Sequence, residues 1–106
     1  MQSVASGQNA AAFGDNSEAS GSVSTAFGRF TVASGFGATS LGVGTIAPSS
    51  YETVLGMYNT MYTPAVSNAG FDLQDRLFVV GNGFDSVNRN DAVSYTHLTL
   101  PTILLV

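Results

Sequence analysis

The sequence predicts an all-β chain, a parallel β-solenoid of 14-residue coils followed by a short strand/hairpin segment. Three observations carry that prediction. First, a triplet of Ala, a variable residue and Gly returns every seven residues: Ala5-Ser6-Gly7, Ala12-Phe13-Gly14, Ala19-Ser20-Gly21, Ala26-Phe27-Gly28 and Ala33-Ser34-Gly35, with Ser40-Leu41-Gly42 in the same phase. Second, the middle residue alternates between serine and a large apolar side chain, so the full repeat is 14 residues. Third, the residues two places before each triplet, Ser3, Ala10, Ser17, Ser24, Thr31 and Ala38, are all small.

A seven-residue period is also the mark of a coiled coil, but here a Gly would fall in every heptad, at about 1 kcal/mol each relative to Ala. Strands fit instead. Alternate residues of a strand share a face, so each Ala lies with the small residue two before it, and that face can approach another backbone closely, as the inside of a narrow solenoid requires. The opposite face forms two walls. One carries Ser6, Ser20 and Ser34 beside Val4, Glu18 and Val32. The other carries Phe13, Phe27, Leu41 and, one coil on, Leu55, beside Ala11, Thr25 and Thr39. Since the small face fills the inside, the Phe/Leu row points outward, and an exposed apolar stripe marks an interface. The glycines of the pattern, Gly7, Gly14, Gly21, Gly28, Gly35, Gly42 and Gly56, are expected at the coil corners. Ser49 after Pro48 breaks the pattern and predicts an irregular corner.

Residues 1–56 thus form the roll, and 57–92 a capping connector with a strand-turn-strand unit. Tyr58, Tyr62, Pro64 and Phe71 in the connector are expected to cover the last coil, because solenoid ends need caps. Leu77 to Gly83 reads as a buried strand running into an Asn-Gly turn, with a returning strand from Asp91. Residues 93–106 break in composition. Val93 to Thr102 can be written GTC TCT TAT ACA CAT CTG ACG CTG CCG ACG, which resembles a transposon-end adapter used in preparing DNA for sequencing. This tail is therefore read as foreign, and the chain as a piece of a longer one.

Composition excludes several functions. Charged residues are 9% of the chain, lysine is absent, and the cations are Arg29, Arg76 and Arg89, too few and scattered to bind nucleic acid through phosphates. Without cysteine there is no disulfide or thiolate metal site. The single histidine, His97, falls in the tail, so no serine has a base and no catalytic residues are expected. Gly35-Phe36-Gly37 and Gly42-Val43-Gly44 lack the lysine of a phosphate loop. Gly81 to Val87 partly matches a calcium-binding nonapeptide, but a single copy leaves the ion shell half built, and an ordinary turn is expected, with no metal and no cofactor. Asp72, Asp75 and Arg76 read as a solvated turn with a local ion pair. A solenoid hydrolase needs a pair of carboxylates facing one groove, and the repeats offer only Asp15, Glu18 and Glu52, which is poor support for one. No apolar run is long enough to span a membrane, so the fragment makes no membrane contact.

The alternating Ala-x-Gly heptads with a large apolar residue in every second one resemble the YadA-like head repeats of trimeric autotransporter adhesins, also present in phage-tail-fibre-like surface proteins. The match is strict over Ser3 to Gly42 and looser through Tyr51 to Asn59 and Asp75 to Gly83. The resemblance implies a left-handed β-roll, a homotrimer packed through Phe13, Phe27, Leu41 and Leu55, and a non-enzymatic adhesive role at the outer cell surface, toward host matrix or glycans. A structural spacer in a virion tail fibre is the alternative.

Overall fold

The computed structural model describes residues 2–65, 70 and 72–96, and these form an all-β structure with no helix among them. Phe71, His97 and the rest of the tail from 97 onward lie outside the described residues. Each 14-residue coil contributes one short and one long strand. The short strands β1 (Val4–Ala5), β3 (Glu18–Ala19), β5 (Val32–Ala33) and β7 (Ile46–Ala47) make one parallel sheet in that order. The long strands β2 (Ala11–Asp15), β4 (Thr25–Arg29), β6 (Thr39–Val43) and β8 (Thr53–Met57) make the second, which continues into β9 (Phe78–Asn82), parallel to β8, and β10 (Asp91–Tyr95), antiparallel to β9. The register advances by one repeat per coil, with Val4 opposite Glu18, Glu18 opposite Val32, Phe13 opposite Phe27 and Phe27 opposite Leu41. The structure is thus a parallel β-solenoid of four coils.

Small residues fill the interior, as the sequence period implies. Ala19, Ala26, Ala33, Ala38 and Ala47 are wholly buried, as are Ser17, Ser24 and Thr31 to within about a hundredth of their surface. The buried hydroxyls are satisfied locally: Ser17 donates to the Gly28 carbonyl at 2.9 Å, Thr31 to Ser17 Oγ at 2.9 Å, and Ser24 to the Gly21 carbonyl at 2.6 Å. Such bonds remove the cost of placing polar atoms in a core. Two valines, Val54 and Val79, replace the small residues where the roll meets its cap.

The glycines divide into two classes, only one of which lies at corners. Gly7, Gly21 and Gly35 open the turns between short and long strands, whereas Gly14, Gly28, Gly42 and Gly56 sit inside the long strands, at the fourth of five positions. Their reason is close stacking: Gly28 has φ 142°, and a Cβ there would lie 1.9 Å from the Gly42 carbonyl oxygen. The corners proper belong to two columns of left-handed residues, Asn9, Val23, Gly37 and Tyr51 at one side and Asn16, Phe30, Gly44 and Tyr58 at the other. Asn and Gly suit that conformation, but a β-branched Val23 is strained in it.

The corner at Pro48-Ser49 is regular, contrary to the sequence expectation. Ser49 opens the same bend and turn as Gly35, with Tyr51 in the left-handed place of Gly37. At Gly35 a Cβ would press 2.0 Å from the carbonyl oxygen of the next coil, that of Ser49 itself. Among the described residues no further short strand stacks beyond β7, so Ser49 can carry a side chain where its predecessors cannot.

Candidate interaction face and sealed end

The outer face of the long sheet carries the apolar row expected from the sequence. Phe13 and Phe27 are each 55% exposed, on adjacent rungs, with ring centroids 5.5 Å apart and planes tilted by 40°. Leu41 follows on the next rung, and Leu55 pairs with Val80 of β9, so the row extends past the repeats; Leu41, Leu55 and Val80 are half-buried. Alternation forces this outcome, because Ala12, Ala26, Ser40 and Val54 occupy the inward positions between them. One border of the row is Ala11, Thr25, Thr39 and Thr53. The other changes character along the roll: Asp15 and Arg29 form an exposed ion pair at 3.4 Å, followed by exposed Val43 and Met57. Phe13 and Phe27 are already nearly half covered, so hiding the rest of each ring from water would be worth about half of the ~1.5–3 kcal/mol that a fully exposed phenylalanine gains on burial.

The outer face of the short sheet is more mixed. Val4, Glu18, Val32 and Ile46 form one column, with Ser6, Ser20 and Ser34 exposed beside it.

At the opposite end from β1, the roll is closed by charged and amide side chains whose pairing the sequence did not reveal. Glu52 occupies the column of Ala10, Ser24 and Ala38 and is wholly buried. Its Oε1 accepts from the Ser49 amide at 3.0 Å, and its Oε2 faces Arg76 Nε at 3.3 Å. Arg76 is buried, stacks 4.0 Å over the Tyr62 ring, and donates from Nη1 to Thr60 Oγ1 at 2.8 Å and to Asp91 Oδ2 at 3.3 Å. Asp91 also accepts from the amide and hydroxyl of Thr60, at 2.7 and 2.6 Å. Asp75 is buried and accepts from the Ala65 amide at 2.6 Å. Asp75 and Arg76 are therefore no solvated turn. Arg76 folds inward because Glu52 and Asp91, brought from β8's entry and from β10, supply partners distant in sequence, and Asp75 is held by the Ala65 amide.

Burial raises Glu52 from the usual carboxylate range to about 7, against the lowering effects of the Ser49 amide and Arg76, and Asp91 adds to the rise. Tyr62 is raised by burial as well.

Asn59 ends the short sheet by mimicry of a strand. It continues the column Ser3, Ser17, Thr31 and Thr45. Its Oδ1 accepts from the Ile46 amide at 2.8 Å and its Nδ2 donates to the Ile46 carbonyl at 3.0 Å, the two bonds a fifth strand would otherwise make. Arg89, from the β9–β10 loop, donates to the carbonyls of Gly44 and Asn59 at 2.9 and 3.1 Å and holds that loop on the roll.

In the same loop Asp85 Oδ1 accepts from the amides of Val87 and Asn88 at 2.9 and 2.8 Å. These bonds, that from Asn88 first, hold its carboxyl below the usual range. The nonapeptide-like stretch is thus an Asp-centred turn. Among the described residues no group of three or more His, Cys, Asp or Glu is arranged to hold a metal ion. β10 continues through Val93–Tyr95, whose backbone pairs with Val80, Val79 and Phe78.

Comparison with known proteins agrees with this geometry. Residues 5–31, the first two coils, match the YadA head domain repeat in two copies. No curated protein and no solved structure matches the chain.

Proposed function

We propose that this chain is part of the head of a surface-displayed trimeric adhesin, in which three rolls associate through the outer face of the long sheet and present their remaining faces to a host surface. The observation that carries this reading is the outward row of Phe13, Phe27, Leu41 and Leu55 on a chain whose first coils are YadA head repeats. YadA-family heads are trimeric, and an apolar row on a rigid sheet suits such packing. The role is mechanical and adhesive: Ser, Thr and Asn side chains, repeated at each coil, offer weak polar contacts to matrix proteins or glycans, and three rolls on one body multiply them by avidity.

Binding measured on immobilised matrix proteins and glycans tests the reading. The chain is expected to bind at least one of these surfaces, and Phe13→Asp with Phe27→Asp to lose most of the apparent affinity while keeping its β-sheet spectrum. A folded chain that binds none of them would contradict the adhesive role.

A further inference from the structure

The coil that closes the roll buries charges that the other coils do not have. We propose that Glu52 is a proton-linked latch: the cap closes on the roll with Glu52 protonated, and loosens when that proton leaves. The inference stands on the geometry of the cap and is independent of adhesion or trimer formation.

The groups facing Glu52 are fixed by every element packed on it. From the segment before β9 comes Arg76, 3.3 Å from Oε2; from β10 comes Asp91, which shares the same guanidinium; from the connector comes Tyr62, stacked on Arg76, with buried Asp75 preceding the arginine. The Ser49 amide holds the other carboxylate oxygen. One cation therefore serves two carboxylates, and Arg89 is engaged with backbone carbonyls instead. Glu52 Oε2, Arg76 Nε and Arg76 Nη2 are enclosed without a hydrogen bond of good geometry. A buried pair so incompletely satisfied does not recover the cost of desolvating both ions, and protonating Glu52 removes one charge while leaving Arg76 to Asp91. Desolvation accordingly sets its carboxyl near 7, above the value of 4.5 for a free glutamate.

The direction follows from linkage. Between those two values the closed cap holds a proton that the open form has lost, so closure weakens as pH rises through that window and levels off within about a unit above it. Between pH 6 and pH 8 the opening equilibrium rises about tenfold. Opening uncovers Val54 and Val79 and the edge of β8.

Trypsin reads this opening directly. The chain has no lysine, and the bond after Arg76 is protected only while Arg76 is buried. Cleavage between Arg76 and Leu77, normalised to the rate on the denatured chain at each pH, is expected to rise about tenfold from pH 6 to pH 8. In Glu52→Gln the rise is expected to vanish. An equal rise in the variant, or none in the parent chain, would overturn the latch. Should the variant fail to fold, the carboxyl carbon of Glu52 followed by NMR in the parent decides the matter: a midpoint near 7 supports the latch, and a midpoint in the ordinary range, about 4 to 5, overturns it.

Discussion

At the first coil Ala5 is exposed and Ala10 and Ala12 are half-buried, whereas one coil on Ala19, Ser24 and Ala26 are sealed. At the far end the interior is closed by other means: Val79 follows Val54, Asn59 satisfies the edge of β7, and Arg76 draws Glu52 and Asp91 together. Within the roll each coil is covered by the small side chains of the next, whereas the end at β8 is finished by long polar side chains. A coil made of Ala, Ser and Gly has too little side chain to close a sheet end, so the sealed end uses long polar residues from three separate segments. In a repeat protein whose stability is mostly nearest-neighbour stacking, such an end cap controls how far fraying proceeds.

Removing the cap's cation should have the largest effect. Arg76→Leu removes the counter-charge of the largely enclosed Asp91 carboxylate and, above the pH at which Glu52 ionises, of Glu52 as well, and a loss of about 3–5 kcal/mol is expected in denaturant unfolding. Next comes the stacking itself. Gly28→Ala combines a left-handed φ with a Cβ 1.9 Å from the Gly42 oxygen, and should cost about 2–3 kcal/mol, while Ser49→Gly, at the place where stacking ends, should change stability by less than about 1 kcal/mol. Asn59→Ala strips Ile46 of its two partners, and about 2 kcal/mol should be lost, with faster amide exchange at Ile46. The smallest change should be a gain: Val23→Asn relieves the left-handed corner in favour of the residue already used at Asn9 and Asn16, raising stability by about 0.5–1 kcal/mol in the same assay.

The roll was legible because its pattern is strict: each period places Ala inside and Phe or Ser outside, and the register in the structure is the 14-residue repeat itself. The row Phe13, Phe27, Leu41, Leu55 followed from alternation alone. The corners were misplaced because Gly serves two needs, close stacking and left-handed φ, and the sequence shows only the residue. The second need was visible elsewhere, in Asn9 and Gly37, or Asn16 and Gly44, standing at one phase of the repeat. The cap was unreadable for a different reason. Glu52, Arg76 and Asp91 are far apart in sequence, and their pairing depends on how the connector folds back. The one local sign was Glu52 itself, a carboxylate in a column of Ala and Ser.

The account turns on whether the outer face of the long sheet joins copies of the chain. Light scattering on the intact chain, with Phe13→Asp and Phe27→Asp as its partner sample, measures this most directly. The account predicts a mass three times the 10.9 kDa of one chain for the parent, and a single-chain mass for the folded double variant. A parent of single-chain mass, or a variant that keeps the threefold mass, would contradict it.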